Sequence, residues 1–399
     1  MADIDRGPGP THWKEIASEF LKLGATSYGG PAIMGVMQAE LQERRQWVTK
    51  ERFVEGLSLV NMLPGATATQ LGIYLGHARG GWWGGLLGGV CFVVPAFLVM
   101  LALTVAYASL GVTPIVRDAL YGLGPVVLGI FVMAVYRLGR SAASTPPQAV
   151  IAVVAALAVL TTPLGIAAIL VLAGAAGLVL FHARRPGVIA TALMASAVAV
   201  LPALLWTPAS GVARRIPDAA SLVDLGGYFF EVGAFTVGGG LTMIAFIQQQ
   251  VVEQFHWLTP REFIDGLALG QFTPGPVLML AAYVGYKVAG IAGAAVAAGA
   301  AFLPSFILML VVLPMLDRIR QLAWTRAVLE GMGPAVIGIL AVSLVRIAPH
   351  ALADSFAVAI LIATVIALTL RRIGPFRAML GGAVLGVLRG RLFGLPVRI

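Results

Sequence analysis

The sequence predicts an all-α polytopic membrane protein made of two homologous repeats of inverted topology, each with broken, re-entrant helices. Three observations carry that prediction. Apolar residues make up 59% of the 399 residues and charged residues only 11%, against roughly 25% charged in a soluble domain. The stretch Leu23-Gly24-Ala25-Thr26-Ser27-Tyr28-Gly29-Gly30-Pro31 returns as Val232-Gly233-Ala234-Phe235-Thr236-Val237-Gly238-Gly239-Gly240. Both copies interrupt apolar segments with glycine and proline, which break helices and free backbone N–H groups. At membrane depth such a break survives only where protein or a water-filled cavity satisfies those groups.

In chain order, Thr11 to Gly29 and Ala32 to about Leu41 are apolar but each is shorter than the ~20 residues a spanning helix needs. They read as a broken or re-entrant pair. Gln42 to Arg52 reads as a charged loop with an interfacial tryptophan, Trp47. Phe53–Leu63 and Ala66–His77 form a second broken pair around Pro64-Gly65. After a turn at Gly80-Gly81-Trp82-Trp83, Gly84–Leu110 and Pro114–Tyr136 are long enough to span. Pro147–Thr161, Pro163–Phe181 and Val188–Trp206 follow, and Pro208–Asp218 is the polar seam. The division is residues 1–212, a repeat with an additional linking span, and residues 213–399, the second repeat, which ends with spans near Ala351–Leu370 and Pro375–Leu388.

The second half echoes the first in order and spacing. Trp47-x-Thr49 matches Trp257-x-Thr259, and Phe53-x-Glu55-Gly56-Leu57 matches Phe263-x-Asp265-Gly266-Leu267. Asn61-x-x-Pro64-Gly65 matches Gln271-x-x-Pro274-Gly275, Pro95 matches Pro304, and Gly124-Pro125 matches Gly333-Pro334. If each broken pair returns to its own side, the first half holds an odd number of full spans and the second half is inverted. The loop around Arg44, Arg45, Lys50 and Arg52 then lies inside with most of the basic residues, while its counterpart Gln248–Glu262 carries only Arg261. Inverted repeats show that asymmetry.

Composition also excludes function classes. The net charge of +9 is accounted for by basic residues at the ends of apolar segments, so no nucleic-acid partner is needed. Cys91 is the single cysteine and the five histidines stand apart, so neither an intrachain disulfide nor a metal site is expected, and no cofactor. Met1–Lys14 lack an apolar core, so no cleavable signal peptide is expected. No Walker motif or catalytic cluster occurs, which points to gradient-driven transport rather than an enzyme.

At Phe20-Leu21-Lys22-Leu23-Gly24, Ser27-Tyr28-Gly29-Gly30-Pro31 and Leu63-Pro64-Gly65, and in the second half at Phe229-Phe230, Thr236-Val237-Gly238-Gly239-Gly240 and Gln271-Phe272-Thr273-Pro274-Gly275-Pro276, the chain resembles the chromate transporter family in its two-domain, long-chain form. The resemblance implies secondary active transport of chromate, typically efflux across the bacterial cytoplasmic (inner) membrane that confers resistance. Sulfate or another small anion is the alternative substrate, and an anion channel the alternative mode. Membrane lipid is an implied partner, protons and a homodimer are open, and nucleic acid is not implied. The chain departs from the family at Ile33 and Met34, where a histidine is usual, at Ala66, where a second proline is usual, and at Glu231, often basic.

Matched breaks in two halves are the sequence pointer to a transporter's binding site. A dianion needs donors, and half-helix N-termini after Gly30, Gly65, Gly240 and Gly275 supply backbone N–H groups. The candidate shell is Lys22, Ser27, Tyr28, Gly29, Gly30, Asn61, Gly65, Thr236, Gly238, Gly239, Gly240, Gln271, Thr273 and Gly275, with Thr67 and Thr69 nearby. Against this stands the reading that glycine pairs only let helices pack closely. Lys22 has three candidate partners: Glu19, Glu231 or the anion. Glu55 and Asp265, each six residues ahead of Asn61 or Gln271, are the candidates for coupled protonation, the bland reading being a solvated helix start beside Arg52 or Arg261. Arg79 and Lys287 read as interfacial anchors.

Overall fold

The computed structural model describes residues 10–28, 30–109, 113–162, 164–182, 221–236, 240–315, 323–370 and 373–393. The linking span 188–206, the seam 208–218 and the repeat boundary after residue 212 lie outside the described residues. Among those described the chain is all-α and contains no strand. The first half runs α1 (Pro10–Thr26), α2 (Gly30–Met37), α3 (Lys50–Met62), α4 (Thr67–Ser109), α5 (Pro114–Ala142), α6 (Pro146–Thr161) and α7 (Ile166–Gly177). The second half runs α8 (Leu222–Ala234), α9 (Leu241–Phe246), α10 (Pro260–Phe272), α11 (Leu280–Val312), α12 (Ala323–Ala351), α13 (Ser355–Leu370) and α14 (Pro375–Phe393). Four of these helices, α4, α5, α11 and α12, are long and apolar enough to cross a membrane.

The matched sequence pairs build matched backbone. After α2 and α9 the chain continues as π-helical turns, Gln38–Arg44 and Ile247–Gln254. Gln46 and His256 then take left-handed conformations, φ 53° and 54°, which return the chain so that the Trp47 N–H donates to the Leu41 carbonyl and the Trp257 N–H to that of Val251, both at 2.9 Å. Thr49 caps α3 by accepting from the Arg52 N–H. Thr259 and Glu262 cap α10 reciprocally, the capping-box arrangement that satisfies two orphan donors.

The expected charged loop is shorter than read: the stretch from Gln42 is π-helical to Arg44 and irregular from Arg45 to Thr49. Trp47 is buried within the protein, with its indole N–H on Glu15 at 3.1 Å and its ring 6.0 Å from that of Phe20, edge to face. The tight left-handed turn, invisible to hydropathy, is what carries Trp47 inward.

The expected turn at Gly80-Gly81 is present. Gly80 (φ −140°, ψ 22°) and Gly81 (φ 63°, ψ −155°) break α4; Ala289 (φ −144°, ψ 30°) and Gly290 (φ 62°, ψ −151°) break α11 in the same way. The two limbs of each then fold back on each other. Gly76 lies against the backbone of Gly84, and Gly285 against that of Gly293, an approach only a residue without Cβ permits.

The described residues form two compact units, each drawing on both sequence halves. One combines Met1–Ala102, Ala220–Met243 and Thr273–Leu322; the other combines Leu103–Ala219, Ile244–Phe272 and Ala323–Ile399. In the first, Ile16, Phe20, Met37, Phe53, Leu71 and Phe92 belong to one buried core. There Gly24 of α1 meets the Phe92 backbone and Gly233 of α8 meets the Ala301 backbone. In the second, α5 packs on α12, α13 and α14, with Gly122 against the backbones of Gly382 and Gly386.

Candidate functional site

All four helix breaks contribute to the first unit, and they pair crosswise. The Gly65 N–H, from the second break of the first half, donates to the Thr236 carbonyl of the first break of the second half at 2.6 Å. The Gly275 N–H donates to the Ser27 carbonyl at 2.8 Å. Ser27 and Thr236 are matched positions, as are Gly65 and Gly275, so each half supplies one acceptor and one donor. Freed backbone groups that the sequence could only say must be satisfied are satisfied by the other repeat.

The glycines are there for conformation and space. Gly65, Gly240 and Gly275 have φ of 121°, 92° and 91°, the region that excludes most side chains. A Cβ at Gly65 would lie 2.5 Å from Ser305 Oγ and 2.6 Å from Gln70 Nε2, and one at Gly275 would lie 2.7 Å from the Ala96 Cβ. The junction at Gly65 is therefore polar and the one at Gly275 largely apolar. Ser305 Oγ accepts from the Ala66 N–H at 2.8 Å, and Gln70 Nε2 donates to the Pro64 carbonyl at 2.6 Å. At the other junction Thr273 Oγ1 contacts Met100 Sδ at 3.2 Å.

The remaining candidates divide. Ser27 is buried with its hydroxyl unpartnered, whereas buried Thr236 donates its hydroxyl to Val232 one turn back. Gly30 opens α2 and Gly240 leads into α9. Gly29, Gly238 and Gly239 lie outside the described residues. Tyr28 is exposed. Asn61 is exposed and donates to the Leu57 carbonyl of its own helix at 2.9 Å. Gln271 is half-buried and belongs to the second unit.

Lys22 takes none of its expected protein partners. Its ammonium lies 3.7 Å from Glu40, with the side chain more than half exposed. Glu19 is instead held by Arg45, which also reaches Glu15 at 3.5 Å and Glu40 at 3.3 Å. Arg79 is not a free anchor: it bonds Glu15 at 3.0 Å and sits 5.8 Å from the Trp47 ring centroid. Lys287 is half-buried. Burial pulls the Glu40 carboxyl up, but hydrogen bonds from Arg45 and Arg44 and the charge of Lys22 outweigh it and leave it below the usual range.

The two coupling candidates differ in setting. Glu55 is half-buried in the first unit. Asp265 is buried in the second, accepting from the Tyr107 hydroxyl at 3.0 Å and facing Arg261 at 3.4 Å, the neighbour that the bland reading named.

Sequence reasoning passed over Gln70 and Ser305. The available signal was Ser305 isolated in an apolar segment and Gln70 closing a short polar run ahead of one, and polar residues at membrane depth are candidates for function. Among the described residues no group of three or more His, Cys, Asp or Glu side chains is placed to hold a metal.

Comparison with known proteins follows the same two halves. The family model described as chromate transporter matches residues 14–180 and again 223–387. The chromate transport protein of Cupriavidus metallidurans is 33% identical over 94% of this chain and 92% of its own length. That of Pseudomonas aeruginosa is 30% identical over 87% of this chain and 84% of its own. No solved structure matches the chain. With the family model matched in both halves and a relative similar over nearly its full length, the chain belongs to the chromate transporter family.

Proposed function

We propose that the chain carries chromate, or a close tetrahedral oxyanion such as sulfate, across the bacterial cytoplasmic membrane by secondary active transport, exporting it and so conferring resistance. The observation that supports this most is the crosswise pairing of the breaks, Gly65 to Thr236 and Gly275 to Ser27. It brings the N-terminal ends of α4 and of the helical stretch from Val277 against the C-terminal ends of α1 and α8, two ends from each repeat, and helix N-termini are ready-made anion sites. On this reading the repeats are inverted about a pseudo-two-fold axis and the substrate sits at the junctions. Glu55 and Asp265 are the proton-coupling candidates. The names of the relatives support chromate as the substrate.

The test is uptake and efflux of chromate and sulfate by the purified protein in liposomes under imposed pH gradients. Saturable chromate movement that responds to the gradient is expected, with Glu55→Gln or Asp265→Asn weakening the response while leaving binding in place. Non-saturating flux would mean a channel, and gradient responses unchanged in both variants would make the carboxylates structural.

A further inference from the structure

The polar equipment at the Gly65 junction exceeds what the fold requires. The two junctions make the same backbone bond, and the second does so with fewer polar side chains, Ser27 and Thr273. Where the first has Thr69 and Gln70 at the start of α4, the matched stretch has Leu278, Met279 and Leu280, all buried; where the first has Ser305, the second has Ala96. The duplicated junction is thus an internal control. A closed break of this geometry is built with the hydroxyls of Ser27 and Thr273 beside it but without a buried amide.

Two of these polar atoms are also unsatisfied. Thr69 and Gln70 are 0% exposed, yet Thr69 Oγ1 and Gln70 Oε1 have no hydrogen-bond partner. Other described helical threonines donate to the carbonyl four residues back, as Thr161, Thr364 and Thr369 do. For Thr69 that residue is Gly65, whose φ of 121° puts it outside the helix. The orientation of the Gln70 amide is set by chemistry: the Pro64 carbonyl can only accept, so the nitrogen faces it and Oε1 is left as a bare acceptor. A buried polar atom left without a hydrogen bond is destabilising, so two at one helix start call for an occupant.

We infer that the Pro64–Gln70 end of α4 binds an oxyanion that carries a proton, such as hydrogen chromate, with Gln70 Oε1 accepting from its hydroxyl. The donors are the first-turn amides of α4, which have no acceptor within the helix, and the Thr69 and Ser305 hydroxyls. They fit the unprotonated oxygens. A site of donors alone would favour the bare dianion; a bare acceptor that cannot itself donate reverses that preference, because a ligand without a hydroxyl leaves Oε1 unpaired. This rests on the oxyanion-transport reading and adds to it the protonation state of the cargo.

Binding to the purified full chain separates the two ideas. At one mildly acidic pH, chromate is largely monoprotonated while sulfate is not protonated. Equilibrium binding of labelled chromate and of labelled sulfate is measured for the parent, Gln70→Met (a residue type found in the matched stretch) and Thr69→Val. The parent is expected to prefer chromate. Gln70→Met should lose about ten-fold in chromate affinity, the loss of one hydrogen bond, with sulfate unchanged or tighter. Thr69→Val should weaken both anions. Gln70→Met that lowers both equally, or neither, overturns the inference and leaves the transport reading standing. If Gln70→Met does not fold, Thr69→Val decides, and unchanged binding there overturns the site. A folded parent that binds neither anion overturns the transport reading itself.

Discussion

Arg45 holds three carboxylates at once: Glu15, Glu19 and Glu40. Of these, Glu19 is buried and its second oxygen already lacks a partner. Arg44, its neighbour, meets only Glu40 at 3.1 Å, with its own side chain 71% exposed. The two arginines are indistinguishable in composition but not in energetic weight. Arg45→Met leaves a buried carboxylate without its cation and should cost about 3–5 kcal/mol. Arg44→Met removes a surface pair and should cost less than about 1 kcal/mol. Denaturant unfolding in detergent compares them, and equal midpoints for the two variants would show that the cluster does not stabilise the fold. Neither arginine's role was legible in the sequence, since Glu15 and Glu19 lie a whole helix pair away along the chain.

At the scale of elements, the fold turns on where helices stop. Gly81 and Gly290 share a backbone conformation open almost only to glycine, and a Cβ at either would meet nothing within 4 Å. Gly81→Ala and Gly290→Ala should therefore destabilise by similar amounts, about 1–3 kcal/mol each, from backbone strain alone. Gly65→Ala adds to its own strain a collision with Ser305 Oγ and Gln70 Nε2, so it should exceed both, and it should also disturb anion binding. Unfolding midpoints for the three variants, with chromate binding alongside, check this ranking. If Gly65→Ala is the mildest, the junction is looser than its geometry indicates. Position and kind of each break were readable from Gly and Pro; the partner of each was not, because crosswise bonds join residues that no periodicity relates.

At the scale of the molecule, each compact unit carries its own charged clamp. In the first it is the cluster around Glu40. In the second, Asp354 begins α13, accepts from the Tyr121 hydroxyl and from the Ala357 N–H, and pairs with Arg389 at 2.7 Å. Burial raises the Asp354 carboxyl, yet the Tyr121 hydroxyl, the Ala357 N–H and the Arg389 charge together hold it below its usual range. A carboxyl depressed in the folded state adds stability that is complete above its unfolded pKa and lost as pH falls through its folded one. Glu40 and Asp354 thus place the loss on the acid side. Thermal midpoints should be level through neutral pH and drop below the ordinary carboxylate range, with Asp354→Asn showing a lower neutral midpoint and a shallower drop. A midpoint that holds or rises on acidification would contradict this.

The membrane class, the helical composition, the duplication, the breaks and the family were all determined by the sequence. Each rests on local quantities: hydropathy over a window, residues that cannot stay helical, and motifs repeated in order. Tertiary structure alone decided that Gly65 answers Thr236 and Gly275 answers Ser27, that Lys22 pairs with Glu40, and that Trp47 packs in the core. It also decided that Asn61, matched in sequence to Gln271, merely bonds its own helix, while the unremarked Gln70 and Ser305 stand at a junction. The physical reason is one of range. Breaking a helix is a property of the residue that breaks it, whereas satisfying the groups set free depends on which distant segment packs against the break.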